Sequence, residues 1–584
     1  MLKIIKNFNK KQWLLLFVAF IFIVLQVFLE LRIPDYMSDI TTLVQTGGTT
    51  LDILKTGTHM VLCAFGSLLS SIIVGYIISN IGSMLSKNLR NKLFNKVLSF
   101  GMEEIKKFNT SSLITRTTND VTQVEMFITM GLQMLIRAPI TAIWAIMKIV
   151  GKNTTWTIIT GGAVVVLLTC VITLMLIVIP RFKIIQKLID NVNEKIRENL
   201  KGIRVVRAFN AENYQEKKFE DVNKKLTNTQ MFTQKTMGVM EPIMYLIMNG
   251  VSLSIYFFGA YIINNASFGL RIDLFSNMVI FSSYAIQVII SFLVLTFVFI
   301  MYPRASVSID RINNVLDSKS KIKSGKLKKS ESIGEIEFKN VSFKYPDSEE
   351  YTLKDISFKV SKGETVAIIG STGSGKSTLI NLIPRFYDIT SGTILIDGVN
   401  IKDLDLSYLY DKIGYVSQKA IIFSGSVKEN VSYGNKENYI VSDNKIKEAV
   451  KVSQSEDFVL KMDKQYDSDL SQGGTNISGG QKQRLSIARA IARDPEIYIF
   501  DDSFSALDYK TDSILRSELK KYTKDATCVI VAQRIGTVIN ADKIIVLDKG
   551  NCVGIGTHKE LLKKCEVYKE IAYSQLSKEE LEHE

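Results

Sequence analysis

The sequence predicts two folds in one chain: an α-helical membrane domain of six transmembrane helices with long cytoplasmic extensions, then an α/β domain built around a phosphate-binding loop. Three observations predict this. Apolar runs of near-bilayer length recur six times before residue 302. Beyond Gly334 the pattern changes to short alternating strands interleaved with helices. Within that second half, Gly370-Ser371-Thr372-Gly373-Ser374-Gly375-Lys376-Ser377-Thr378 fits G-x-x-x-x-G-K-[ST].

At 584 residues the chain is too long for one domain, and 46 % hydrophobic with 22 % charged residues suits a membrane half joined to a soluble half. The net charge is +14, but the basic residues flank apolar spans, which argues against nucleic acid as a partner. Five scattered cysteines without a C-x-x-C indicate neither a disulfide framework nor a zinc site. Only three histidines occur, His59, His558 and His583.

Lys3, Lys6, Lys10 and Lys11 precede the first apolar run, Trp13–Leu29. The run is long, lacks a small-residue cleavage site and is followed by more spans, so it reads as a membrane helix and not a signal peptide. The other spans are Met60–Met84, Met126–Met147, Trp156–Ile179, Ile243–Ile263 and Met278–Met301. Six crossings put both chain ends on one side. Segments 87–125 and 181–240 carry seven and thirteen Lys/Arg, whereas the intervening loops carry one or two. The positive-inside rule therefore places both termini and the phosphate loop in the cytoplasm. Arg137 lies within the third span beside Pro139. It is either on a substrate path or hydrogen-bonded to a neighbouring helix, and the second reading is the one favoured. Segment 181–240 has no proline, and two helices of ~30 residues there would each reach ~45 Å.

Two cytoplasmic stretches carry a resemblance. Phe108-Asn109-Thr110-Ser111-Ser112-Leu113-Ile114-Thr115-Arg116-Thr117-Thr118-Asn119-Asp120-Val121 and Glu198-Asn199-Leu200-Lys201-Gly202-Ile203-Arg204-Val205-Val206-Arg207-Ala208-Phe209 resemble the cytoplasmic loops of ATP-binding cassette exporters. In that family such loops form coupling helices that dock on the nucleotide domains. The membrane domain is expected over 1–317, a Lys/Ser/Gly-rich solvated connector over 318–333, and the nucleotide domain over 334–584.

In the second half, the glycines of the phosphate loop allow backbone N–H groups to line an anion nest, and the helix after it points its N-terminal dipole at the phosphates. Lys376 would reach the β- and γ-phosphates of ATP, and Ser377 would hold Mg²⁺. The remaining roles follow from the resemblance, which covers nearly the whole chain. Tyr345 matches the aromatic residue stacked on adenine, and Gln418 the glutamine that meets Mg²⁺ and senses the membrane domain. Ser478-Gly479-Gly480-Gln481 matches the signature, with Ile477 replacing the usual Leu. Asp501 ends the apolar strand Ile497–Phe500 as the Mg²⁺-binding carboxylate, and Asp508 lies in the loop that crosses between paired cassettes.

Two departures stand out. The family usually has Glu after that carboxylate, as general base, and His after the next strand; this chain has Asp502 and Gln533. Asp is one methylene shorter, and a misplacement of ~1 Å can cost ~10²-fold in rate. Gln donates a hydrogen bond but carries no charge. Both changes fall in one catalytic site while the signature is intact, which resembles the degenerate-site chain of heterodimeric exporters. The expected function is ATP-driven export of an amphipathic or hydrophobic compound, multidrug-type, as one half of a heterodimer. One alternative is a homodimeric exporter of lipid or peptide using Asp502 as a weak base. Another is a non-transporting ATP-dependent membrane sensor or regulator.

Overall fold

Inside hydrocarbon a backbone must satisfy its own N–H and C=O groups, so long apolar runs are committed to helix. The computed structural model, which describes residues 9–328, 334–434 and 440–576, shows that outcome. Lys3 and Lys6 before the first span, and 329–333 of the connector, lie outside the described residues.

Among the described residues, six helices are long and apolar enough to cross a membrane: α1 (Lys10–Gln45), α2 (Thr50–Leu98), α4 (Thr110–Ile149), α5 (Thr154–Ala208), α6 (Glu212–Asn264) and α7 (Phe268–Leu316). A short helix, α3 (Met102–Phe108), follows α2. At 55 residues α5 is far longer than the ~20 needed to span a bilayer. Only 17 % of its most apolar window is buried, as expected of a lipid-facing helix. The inner faces pack around Trp156, whose ring lies 5.5 Å from that of Phe281, and around the buried Tyr284.

Polar contacts tie these helices together. Arg137 donates to both carboxylate oxygens of Glu30 on α1, each at 2.9 Å, so its partner is a neighbouring helix. Lys148 donates to Asp35 at 2.6 Å, and Tyr284 donates to the other oxygen of Asp35 at 2.6 Å. α4 contains two π-helical turns, Arg116–Asp120 and Phe127–Gly131. The first carries the buried Asp120, which accepts from Ser308 of α7 at 2.9 Å.

The chain divides into two units, 1–98 with 110–318, and 99–109 with 319–584. The second unit therefore includes α3. Its first sheet is antiparallel, in the order β2 (Leu353–Val360), β1 (Ile336–Phe343), β4 (Ser391–Ile396), β5 (Val399–Asn400). The main sheet contains β3 (Thr365–Gly370), β6 (Ile413–Val416), β7 (Ile497–Asp501), β8 (Thr527–Val531), β9 (Lys543–Asp548) and β10 (Asn551–Gly556). Its order is β10-β9-β3-β8-β7-β6, parallel except at the β9–β10 edge. Continuous apolar runs such as Ile497–Phe500 follow from burial on both faces. Ligands of such sheets bind beyond the carboxyl ends of the strands, and β3, β6, β7 and β8 all end on one side.

The segment 318–328 departs from the solvated connector expected of it. Its side chains are mostly exposed, but its backbone is held. Gly325, Lys326 and Leu327 donate backbone N–H groups to Leu404 and Asp403 at 3.0 Å, and Arg385 donates to the Lys323 carbonyl at 3.0 Å. At the other end, Glu104 of α3 is 5 % exposed and accepts from the Lys321 N–H at 3.1 Å and the Gly101 N–H at 3.0 Å. Lys321 also pairs with Glu103. A carboxylate buried against backbone donors holds α3 and the connector to one another.

Candidate functional site

β3 ends at Gly370, where a Cβ would lie 2.1 Å from the Leu547 carbonyl oxygen of β9. Only glycine lets the two strands close there. The chain then turns through Gly373 (φ +83°) and Gly375 (φ +102°), both left-handed, and enters α8 (Lys376–Leu382). The Lys376 ammonium donates to the carbonyls of Gly370 and Ser371, each at 2.8 Å, so it folds back over the loop. The Ser374 hydroxyl is buried inside the loop without a hydrogen-bond partner. An unmatched buried hydroxyl, a cation and a helix N-terminus around one turn fit a polyphosphate.

The neighbouring strand ends supply the remaining groups. The Ser377 hydroxyl donates to Asp501 at 3.2 Å from the end of β7. Asp502 follows in the left-handed region (φ +45°), with its N–H donated to the Val531 carbonyl of β8 at 3.0 Å. Two amides converge on one of its carboxylate oxygens: Gln418 from beyond β6 at 3.2 Å, and Gln533 from beyond β8 at 2.9 Å. Four strand ends thus bring together Lys376, Ser377, Gln418, Asp501, Asp502 and Gln533. Asp501 and Asp502 are 7 % and 9 % exposed, and burial raises both carboxyls above the ordinary carboxylate range. Hydrogen bonds from Ser377 to Asp501 and from Gln418 to Asp502, with the Lys376 charge, oppose that shift. The Lys376 ammonium is in turn lowered by burial. The Ser377 hydroxyl, the Asp501 carboxylate and the Gln418 amide are hard oxygen donors, which suit Mg²⁺.

Tyr345 stands edge-on to Phe343 and Tyr387, at 4.9 and 5.3 Å between ring centroids, and its hydroxyl is 3.0 Å from that of Thr378 in the phosphate loop. Lys106 of α3 lies over its ring at 5.7 Å and pairs with Asp347 at 3.4 Å. The aromatic position is therefore linked to the short helix that follows α2. The helix making this contact is Met102–Phe108, just before the stretch that resembles a coupling loop.

The signature residues form a second cluster, closed on itself. Ser478 caps α9 (Gly479–Arg493) in a capping box: its hydroxyl accepts from the Gln481 N–H at 3.3 Å and its own N–H donates to the Gln481 side chain at 2.8 Å. Gly480 lies against the Ala506 carbonyl, where a Cβ would stand at 3.3 Å. Asp508 caps α10 (Tyr509–Tyr522), accepting from the Thr511 N–H at 2.9 Å, which lowers its carboxyl below the ordinary range.

Two further residues were not visible in the sequence. Gln483 of α9 donates to the Ser417 carbonyl at 3.2 Å, joining the signature helix to the strand end that carries Gln418. Gln575 bonds the backbone on either side of Arg534, beside Gln533. Both are lone glutamines whose partners are 66 and 42 residues away, with no local pattern to reveal them.

Comparison with known proteins gives matches in both halves of the chain. A family model described as ABC transporter matches residues 353–505, and one described as ABC transporter transmembrane region matches 16–292. An uncharacterized ABC transporter ATP-binding protein of Mycobacterium tuberculosis is 36 % identical over 92 % of this chain and 90 % of its own length. The ATP-dependent lipid A-core flippase of Pseudomonas aeruginosa is 31 % identical over 85 % of this chain and 80 % of its own. A Staphylococcus aureus protein, provisionally named a multidrug export ATP-binding/permease protein, is 48 % identical over 41 % of each. The solved structure of a bacterial Atm1-family ABC exporter with ATP bound matches with a TM-score of 0.83 over 97 % of this chain and 99 % of its own, at 22 % identity, and shares the fold.

Proposed function

The chain belongs to the ABC transporters, as a half-transporter of the exporter type with its membrane and ATPase domains in one polypeptide, and we propose that it is the slow-site member of a heterodimer exporting amphipathic or hydrophobic compounds. Its activity is ATP hydrolysis coupled to transport, and exporters of this kind function as dimers in the membrane. One observation carries the finer reading. Asp502 and Gln533, which stand where the family usually has Glu and His, are bonded to each other at 2.9 Å in the same strand-end cluster. Meanwhile Ser478, Gly479 and Gly480 keep the signature's usual residues.

The roles of the residues follow from that geometry. Lys376 exchanges its carbonyl partners for phosphate oxygens when nucleotide enters the loop. Tyr345 stacks on the adenine. Ser377, Asp501 and Gln418 would hold Mg²⁺, which would neutralise developing charge on the phosphates when bound. Asp502 is the carboxylate in the position of a base, and Gln418 and Gln533 hold it back against the strand ends. It reaches one methylene less far than Glu, so water is poorly aligned and turnover is slow. Gln533 gives the γ-phosphate a neutral donor, without the charge a histidinium brings. Ser478 and Gly480 act in trans, at the nucleotide held by the partner's phosphate loop.

The orientation, with termini and ATPase domain in the cytoplasm, rests on the basic segments 87–125 and 181–240. The substrate class is supported by the relatives' names, one for a lipid A-core and one for multidrug export. A second reading, a homodimer using Asp502 as base, is favoured by the burial that raises the Asp502 carboxyl toward a better base. Co-purification from membranes separates the two. A second half-transporter carrying Glu and His should accompany this chain, and vesicles containing this chain alone should neither transport nor show drug-stimulated ATPase activity. Full transport by the homodimer would establish the second reading.

A further inference from the structure

Gln533 sits in a short turn. β8 ends at Val531, and the four-residue helix α11 (Ile535–Val538) begins two residues after Gln533. A helix this short has almost no stability of its own, and its first N–H groups lack intrahelical partners. Arg534, at its N-cap, provides no side-chain cap. One of the missing bonds, that of the Ile535 N–H, is supplied by Gln575, just beyond α12 (Glu566–Tyr573). Its amide oxygen accepts from the Ile535 N–H at 2.9 Å. Its amide nitrogen donates to the Gln533 carbonyl at 2.8 Å. One side chain thus bonds the backbone on both sides of Arg534 and fixes the peptide from which the Gln533 side chain projects. On its far side, that same Gln533 donates to Asp502.

The clamp is itself anchored. The N–H groups of Gln575 and Leu576 both donate to the Ala572 carbonyl, at 3.1 and 3.0 Å, and Ala572 and Tyr568 are fully buried. Leu576 packs on the same apolar core that holds Ile535 and Val538. The path from buried core to carboxylate is therefore α12, Gln575, Gln533, Asp502.

We propose that Gln575 is a positioning residue for Gln533, and that through it the α12 segment sets how strongly this site prefers ATP over ADP. The proposal rests on the reading in which Gln533 faces the γ-phosphate. A residue that only caps α11 would alter thermal stability and leave nucleotide preference alone. A residue that aims Gln533 would act on ATP, which has the γ-phosphate, and spare ADP.

The test uses the purified full-length chain in lipid nanodiscs, titrated with MgATP and MgADP. Four forms are compared: the natural chain, Gln575→Ala, Gln533→Ala and the double variant. Gln575→Ala should lower the ATP-to-ADP affinity ratio about 3–10-fold, the scale of one net hydrogen bond, with the ADP affinity unchanged within twofold. In the Gln533→Ala background the second substitution should add nothing. If Gln533→Ala lowers the ratio and Gln575→Ala does not, the proposal fails and the Gln533 reading stands. If neither lowers it, the Gln533 reading fails and the proposal with it. Equal losses for ATP and ADP in Gln575→Ala, or full additivity with Gln533→Ala, also overturn it. Gln575→Glu serves if Gln575→Ala unfolds. It keeps the acceptor for Ile535 but sets a carboxylate against the Gln533 carbonyl, and should lower the ratio at least as far.

Discussion

In the assembled transporter, Ser478→Ala in this chain should depress steady-state ATP turnover far more than Asp502→Ala. On the proposed heterodimer reading, Ser478 faces the nucleotide of the fast site. An oriented donor lost where transition-state charge develops typically costs ~10²–10³ in rate. The hydroxyl also caps α9 through the Gln481 N–H at 3.3 Å, and losing such a cap costs about 1 kcal/mol of stability. That second effect belongs in the melting temperature, and it can be removed. Glycine is within a few tenths of a kcal/mol of serine as a cap, so Ser478→Gly should restore stability while turnover remains lost. Asp502→Ala behaves the other way. It deprives Gln418 and Gln533, bonded at 3.2 and 2.9 Å, of a buried acceptor, a cost of about 1–3 kcal/mol to stability. If this site turns over slowly, as proposed, turnover of the pair should fall by less than about twofold, so the two variants should differ in rate on the order of 50-fold or more. The assay is phosphate release by the purified pair in lipid, with melting curves on the same samples. Should Asp502→Ala prove the more damaging, Asp502 is a working base and the slow-site reading is wrong.

Further outcomes follow from the same cluster and from the membrane domain. Lys376→Ala should weaken ATP binding to the full chain at least tenfold, because a charge-assisted phosphate contact is worth about 1.5–3 kcal/mol; an unchanged dissociation constant refutes the role. Asp501 and Asp502 have native carboxyls raised by burial, so the native state holds protons that the unfolded chain has released. Their contribution to stability without nucleotide is complete below the ordinary carboxylate value and is lost as pH rises through the raised one. Mg²⁺ competes with those protons, so the thermal shift produced by Mg-ATP should grow over that interval, and Asp501→Asn should flatten the profile. Arg137→Gln leaves Glu30 without its guanidinium and should lower the melting temperature of the solubilised chain, at a cost of about 1–2 kcal/mol, with partial recovery on adding Glu30→Gln. A melting temperature unchanged by Arg137→Gln would show the pair to be incidental.

What could be read in advance was whatever repeats or has a fixed spacing. The apolar spans announced themselves because a bilayer demands ~20 residues of one character. The phosphate loop, the run Ile497–Asp501 and the helix after Ser478 were legible because each joins a local motif to a strand or helix that must start or stop there. That the strand ends converge on Asp502 was implicit in the parallel order of the main sheet, which no single segment reveals. Pairings across long stretches were hidden. Arg137 finds Glu30 107 residues earlier, and nothing around either residue names the other. The backbone-held connector was missed for a related reason. Lys, Ser and Gly read as solvated, and Ile322 and Leu327 are too few to show a period. Its order comes from main-chain bonds to Asp403 and Leu404, which composition does not encode.

The tie between Glu104 and Lys321 spans 217 residues, and this gives the ATPase unit a history during synthesis. α3 leaves the ribosome long before any strand of its unit exists. At about 5–20 residues per second, roughly 10–40 s pass before the Lys321 N–H emerges. During that interval Glu104 must remain hydrated while four more long apolar helices are made. The ATPase unit is therefore completed only after the apolar helices between its two pieces have been made, because α3 is synthesised first and the connector that bonds it comes last.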